Sequence, residues 1–120
     1  MEIRKASVQD LGQIMQVYDK ARKFMRENGN AEQWGEDYPS AELIEHDIDK
    51  MYLCMSEGRI ACVFYYAEEE DEDYKEINGK WLNEEPYGVV HRVASTGIVR
   101  GAASFCLDWA YAQTLYLRMD

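Results

Sequence analysis

The residues of this chain best suited to chemistry lie between His91 and Tyr111, in HRVASTGIVRGAASFCLDWAY. His91 carries a side chain that titrates near neutral pH, so it is the candidate for moving a proton. One histidine beside an apolar strand also fits a purely structural role. Further on, Gly101, Ala102, Ala103 and Ser104 put almost no side-chain bulk at what reads as the start of a helix. The first N–H groups of a helix have no partner within it and sit at the positive end of its dipole. A bare helix start behind a strand lets an anion such as a phosphate approach the backbone closely. Arg100 adds charge there, and Gly101 lacks the Cβ that would hold a ligand off. A plain strand–loop–helix crossover favours small residues too, so the stretch alone leaves both readings open.

A strand and a helix must position these groups. Val89, Val90 and Val93 are β-branched residues in a short apolar run and predict the strand. Ser95, Thr96 and Gly97 break it. Ala103, Phe105, Cys106, Trp109 and Ala110 then follow a helical period. Strand alternation places His91, Val93 and Ser95 on one face and Arg92 and Ala94 on the other. Arg92 is expected to pair with an acid on the helices.

The rest of the chain supplies the scaffold. Ile3 to Ala6 predicts a strand. Ser7 and Asp10 form a capping-box pair, with Asp in the usual place of Glu. Leu11, Ile14, Met15, Tyr18, Ala21, Phe24 and Met25 then share one helix face, ended by Asn28-Gly29-Asn30. Ser40 caps a second helix to about Lys50, with Leu43, Ile44, Ile48 and Met51 as its apolar face. Met51–Met55 and Ile60–Ala67 read as strands of a hairpin turned at Ser56-Glu57-Gly58-Arg59. The second of these is apolar almost throughout and is expected at the centre of the sheet. Residues 68–87 form an acidic excursion, opened by the run from Glu68 to Asp73. The run lacks the glycine and spacing of a calcium loop, and a solvated hairpin end is expected. Trp34 and Tyr38 lie in a polar loop, where they either line a substrate mouth or cover the core. Leu115–Met119 reads as a last strand.

Bulk properties narrow the function. The 120 residues suit one domain, residues 1–120, and a 47% hydrophobic fraction supplies a core. A formal net charge of −10 argues against nucleic-acid and anionic-membrane partners. It is compatible with a cationic substrate such as an amine, and also with simple solubility. No apolar leader follows Met1 and no run is long enough to span a bilayer, so a cytoplasmic location is expected. Cys54, Cys62 and Cys106 are an odd count in apolar stretches, which predicts buried, reduced thiols. They form no ligand pattern with His46 and His91, so no metal is expected. Neither a Gly-x-x-x-x-Gly-Lys-Ser/Thr nor a Gly-x-Gly-x-x-Gly frame is present, which disfavours a nucleotide-binding module.

Ile98-Val99-Arg100-Gly101-Ala102-Ala103 resembles the pyrophosphate loop of the GNAT family of acyl-CoA-dependent N-acyltransferases, Gln/Arg-x-x-Gly-x-Gly/Ala. Gly101 and Ala103 fit that pattern, while Ile98 stands where the family has Gln or Arg. The order of elements around the loop is similar as well. The resemblance implies an α/β fold, with a mixed, mainly antiparallel sheet of about five strands and helices on both faces. The strands flanking the last helix are then parallel. It implies acetyl-CoA as acyl donor, its pantetheine arm along Val93, Ala94 and Ser95 and its pyrophosphate at Ile98, Val99, Arg100, Gly101, Ala102, Ala103 and Ser104. The acceptor is then a small-molecule or peptide amine, with His91 as base and Trp34 and Tyr38 near it.

Family members ordinarily continue with a helix and two strands beyond the position of Asp120, so the resemblance is to a C-terminally truncated member. That helix often carries a Tyr that protonates the departing thiolate. The exposed edge of strand 115–119 implies a fragment of a longer protein or a second copy covering it as a homodimer. A non-catalytic scaffold that binds CoA or a protein partner is the alternative function.

Overall fold

The computed structural model describes residues 1–27, 39–69, 87–113 and 117–119. Trp34, Tyr38, the helix stop at residues 28–30 and most of the acidic excursion lie outside them.

Strand β1 (Glu2–Lys5) leads through a 3₁₀ turn (Val8–Asp10) into helix α1 (Leu11–Glu27). The Ser7 amide donates to the Asp10 carboxylate at 2.8 Å, and the Asp10 amide donates to the Ser7 carbonyl at 2.9 Å. Arg4 clasps both Asp10 oxygens at 2.9 Å. That hydrogen bonding holds the Asp10 carboxyl down at about 2. Helix α2 (Ala41–His46) starts where Ser40 accepts from the Leu43 amide at 3.1 Å, and a 3₁₀ turn (Ile48–Lys50) closes it. Strands β2 (Met51–Ser56) and β3 (Arg59–Glu69) form the expected hairpin. Its two-residue turn has positive φ at both Glu57 and Gly58, the twist that hairpin turns favour. Strand β4 (Tyr87–Ser95), helix α3 (Ala102–Gln113) and strand β5 (Leu117–Met119) complete the described chain.

The strands form one sheet in sequence order. β1 to β4 are antiparallel neighbours, and β5 runs parallel to β4, as the helical crossover requires. β3 is central, and every side chain from Ala61 to Ala67 is buried. One face packs against α1 and α2: Ile14, Val17, Tyr18 and Ile44 meet Leu53, Val63, Tyr65 and Ala94. Val17 joins this core although its place in the helical stripe was not anticipated. Phe24, at the margin of that stripe, is 66% exposed.

The other face carries α3. Ala102, Cys106 and Ala110 meet Cys54, Cys62, Phe64, Tyr66 and Val90. Trp109 sits at the centre of an aromatic group, with ring centroids 4.8 Å from Tyr52, 5.4 Å from Tyr66 and 5.7 Å from Phe64. Tilted and edge-on pairs of this kind add about 0.5–1.5 kcal/mol each beyond their buried area. The three cysteines converge here as free, buried thiols. The neighbouring Cys62 and Cys54 thiols, with burial, push the Cys106 thiol up and keep it protonated.

The sheet is irregular at two points. Cys62 pairs with Cys54 while Ile60 pairs with Met55, so Ala61 is an extra residue in β3. His91 pairs with Tyr65 while Ala94 pairs with Val63, so β4 holds an extra residue at Arg92–Val93. Arg92 has φ +56°. A side chain in that left-handed region costs about 1–2 kcal/mol.

The Tyr66 hydroxyl is buried with no hydrogen-bond partner among the described residues. Burial, with Glu68 and Tyr52 nearby, pushes that phenol up. Removing an unpaired hydroxyl should cost nothing, because no bond is lost and a buried polar group is relieved. Tyr66→Phe is therefore expected to unfold at the parent's urea midpoint or above it. A clearly lower midpoint would mean that the hydroxyl is bonded in solution.

Candidate functional site

The extra residue in β4 decides where the candidate side chains point. His91 lies opposite Tyr65 on the α1–α2 face, with the two ring centroids 5.2 Å apart. Ala94 is buried on that same face. Val93 packs on the α3 face, and Ser95 lies opposite Cys62 on that side. The expected grouping of His91 with Val93 and Ser95 is therefore wrong, because simple alternation does not survive a bulge. The expected separation of Arg92 from His91 fails for the same reason: the Arg92 guanidinium lies over the Tyr65 ring, 5.0 Å from its centroid.

Arg92 does pair with an acid. Its Nη2 donates to Asp47 Oδ2 at 3.0 Å, at the junction of α2 and the 3₁₀ turn. The other Asp47 oxygen lies 3.1 Å from His46 Nδ1. Burial works against the charge on Asp47, but the hydrogen bonds from His46 and Arg92 outweigh it and hold the carboxyl below its ordinary value. The Arg92 carbonyl accepts from the Tyr18 hydroxyl at 2.7 Å.

The backbone of β4 is paired unevenly. On one side it is bonded to β3 along its length. On the other, among the described residues, β5 pairs with it across Gly88–Val90. From His91 to Ser95 that edge faces no strand among the described residues. An open strand edge presents N–H and C=O groups to whatever lies beside it, and an amide-bearing chain is a natural complement.

The edge runs directly into the loop. The Thr96 amide donates to the Ala61 carbonyl at 2.9 Å, and its hydroxyl donates to Ile60 at 2.8 Å and Ala61 at 3.3 Å. These bonds tie the loop to the start of β3. Thr96 was not singled out from the sequence, where a hydroxyl next to Ser95 reads only as a strand stop. Val99 packs beneath the loop, while Ile98 is 38% exposed and Arg100 is exposed. Gly101 turns the chain into α3 at φ +78°, and a Cβ built there meets no atom within 4 Å. Ala102 is buried against the sheet, Ala103 is half-buried and Ser104 is exposed. The first turn of α3 carries no acidic residue. The space beside Gly101 is open and the helix start is bare, so these residues fit a pyrophosphate group. Among the described residues no group of three His, Cys, Asp or Glu could hold a metal ion, and no helix is long and apolar enough to cross a membrane.

A mixed sheet with helices on both faces is the fold that this chain shares with GNAT-family acetyltransferases. Two solved structures of that family are similar to it. A GNAT-family acetyltransferase from Streptococcus agalactiae 2603 is 28% identical at a TM-score of 0.68, covering 95% of this chain and 67% of its own. One from Listeria monocytogenes 4b F2365 is 16% identical at a TM-score of 0.72, covering 98% of this chain and 74% of its own. No protein-family model and no curated protein sequence matches the chain.

The left-handed turn at Gly101 gives a direct test of the loop. Gly101→Ala meets no steric obstacle, so its cost is conformational alone, about 1–2 kcal/mol. Urea unfolding should show a loss of that size. A variant as stable as the parent would mean that the loop does not need this turn.

Proposed function

We propose that this chain is a cytoplasmic N-acetyltransferase that moves an acetyl group from acetyl-CoA to a primary amine by direct attack on the thioester. The observation that supports the reading is the small-residue loop that turns at Gly101 into a bare, acid-free start of α3 directly after β4, on a GNAT fold. Val93, Ala94 and Ser95 would hold the pantetheine amides through their backbone. The loop from Ile98 to Ser104 would hold the pyrophosphate, with Arg100 adding charge. The donor supplies an activated thioester carbonyl when bound.

The chain's own contribution is orientation first. A backbone N–H of the open edge would polarise the carbonyl oxygen as negative charge develops on it. An amine must lose a proton before its nitrogen lone pair can attack. His91, on the α1–α2 face, would take that proton directly or through a water. The nitrogen–carbonyl bond then forms as the carbon–sulfur bond breaks, and the departing thiolate takes up a proton. One observation favours the second reading, a CoA-binding scaffold without turnover: Ile98 presents an apolar side chain where the family loop has Gln or Arg.

Calorimetric titration with acetyl-CoA, repeated on Gly101→Trp, tests the donor site. Binding that the substitution abolishes is the expected outcome. No binding by a folded parent chain would sink the acetyltransferase reading and the scaffold reading that retains CoA.

The pH–rate profile with a primary amine tests His91. Activity should rise through the range in which imidazole loses its proton, and His91→Gln should remove that limb. An unchanged limb would move the base elsewhere, and binding without any turnover would favour the scaffold.

A further inference from the structure

Arg92 stands in a conformation that bulges of this kind normally give to glycine. The other non-glycine residue at positive φ among the described residues, Glu57, lies in a two-residue hairpin turn, where such a conformation is ordinary. Arg92 has no turn to explain it. It sits inside a strand, between the paired residues His91 and Ala94.

Strain of this kind persists where the surroundings over-determine it. Among the described residues the surroundings act at three points or more. The Tyr18 hydroxyl, on a fully buried side chain, holds the Arg92 carbonyl at 2.7 Å. Asp47 holds the guanidinium at 3.0 Å, with the two side chains 14% and 10% exposed. The Tyr65 ring lies under the guanidinium at 5.0 Å. One contact grips the backbone, and two draw the side chain to the α1–α2 face. The next residue, Val93, faces α3.

We propose that Tyr18, Asp47 and Tyr65 are positioning residues that hold Arg92 in the left-handed conformation and thereby aim the β4 backbone from Val93 to Ser95 at the acyl donor. The proposal rests on the acetyl-CoA reading of that edge. None of the three residues need touch the donor. They fix the direction in which the N–H and C=O groups of the edge leave the sheet. The Arg92 side chain serves as a handle on the backbone rather than as a ligand.

A glycine at position 92 adopts the same conformation unaided, and an alanine does not. The test compares two double variants that remove both charges together, so that neither is left buried alone. These are Arg92→Gly with Asp47→Asn, and Arg92→Ala with Asp47→Asn. The readouts are the backbone amide resonances of residues 91–96 without ligand and acetyl-CoA affinity by calorimetry.

The glycine variant is expected to keep the parent's resonance pattern at Val93–Thr96, beyond changes at the substituted residue. It should also bind acetyl-CoA about tenfold more tightly than the alanine variant. Unfolding of the alanine variant alone, with the glycine variant folded, supports the proposal equally. Matching behaviour of the two variants in both readouts would overturn it: the conformation at residue 92 would then not decide the edge. If the parent chain binds no acetyl-CoA, the donor reading fails by itself, and the amide resonances still decide whether the clamp sets the backbone.

Discussion

The backbone of β4 pairs with β3 on one side, apart from the bulge at Arg92–Val93, and among the described residues β5 pairs with it across Gly88–Val90. Beyond Val90 the strand keeps its direction if it is held from above and below. It is held in that way. Ala94 is pinned in the core under α1, Val93 packs toward α3, and Thr96 is bonded back to the start of β3. The strand is therefore ordered without a ligand, which would leave little entropy to be lost on binding.

The electrostatics of this site work against the bulk charge. A formal net charge of −10 repels an anionic donor at long range and draws a cationic amine. The field is screened beyond about 8–10 Å at physiological salt, whereas the N–H groups at the start of α3 act at contact. With no acid in the first turn of α3 and Arg100 beside it, the local balance favours an anion even though the molecule as a whole is acidic. The two charges that a transfer from acyl-CoA to amine would bring together therefore meet different scales of the same protein.

Much of this architecture was legible in the sequence. The Ser7–Asp10 and Ser40 caps, the Glu57-Gly58 turn and the apolar run of β3 are local signals, and each produced the element it predicted. The small residues at 101–104 marked a helix start for the same reason. The faces of β4 were not legible, because a bulge is a property of pairing register and no residue at 91–94 announces one. Arg92 hides it in particular, since a glycine there would have given a signal. The acid partner of Arg92 was expected in kind, but Asp47 could be named only once α2 and β4 were side by side. Val17 falls between Ala21 and Phe24 around the helix, so the same helical spacing could have found it.

An arginine at the bulge also ties together parts that a glycine would leave independent. The guanidinium reaches the end of α2, the carbonyl reaches α1, and the following residue reaches the α3 side. A partly buried ion pair contributes little net stability once desolvation is counted, so stability alone is a weak reason for its presence. What the pair supplies is selection. A slipped register in β4 would carry Arg92 away from Asp47 and leave a charge buried without its partner, a cost of several kcal/mol. An apolar residue in the same place would tolerate the slip. The strained residue and its ion pair together penalise the alternative registers more than they stabilise the native one. That is the property needed by a strand that must hold its direction beyond its described pairing with β5.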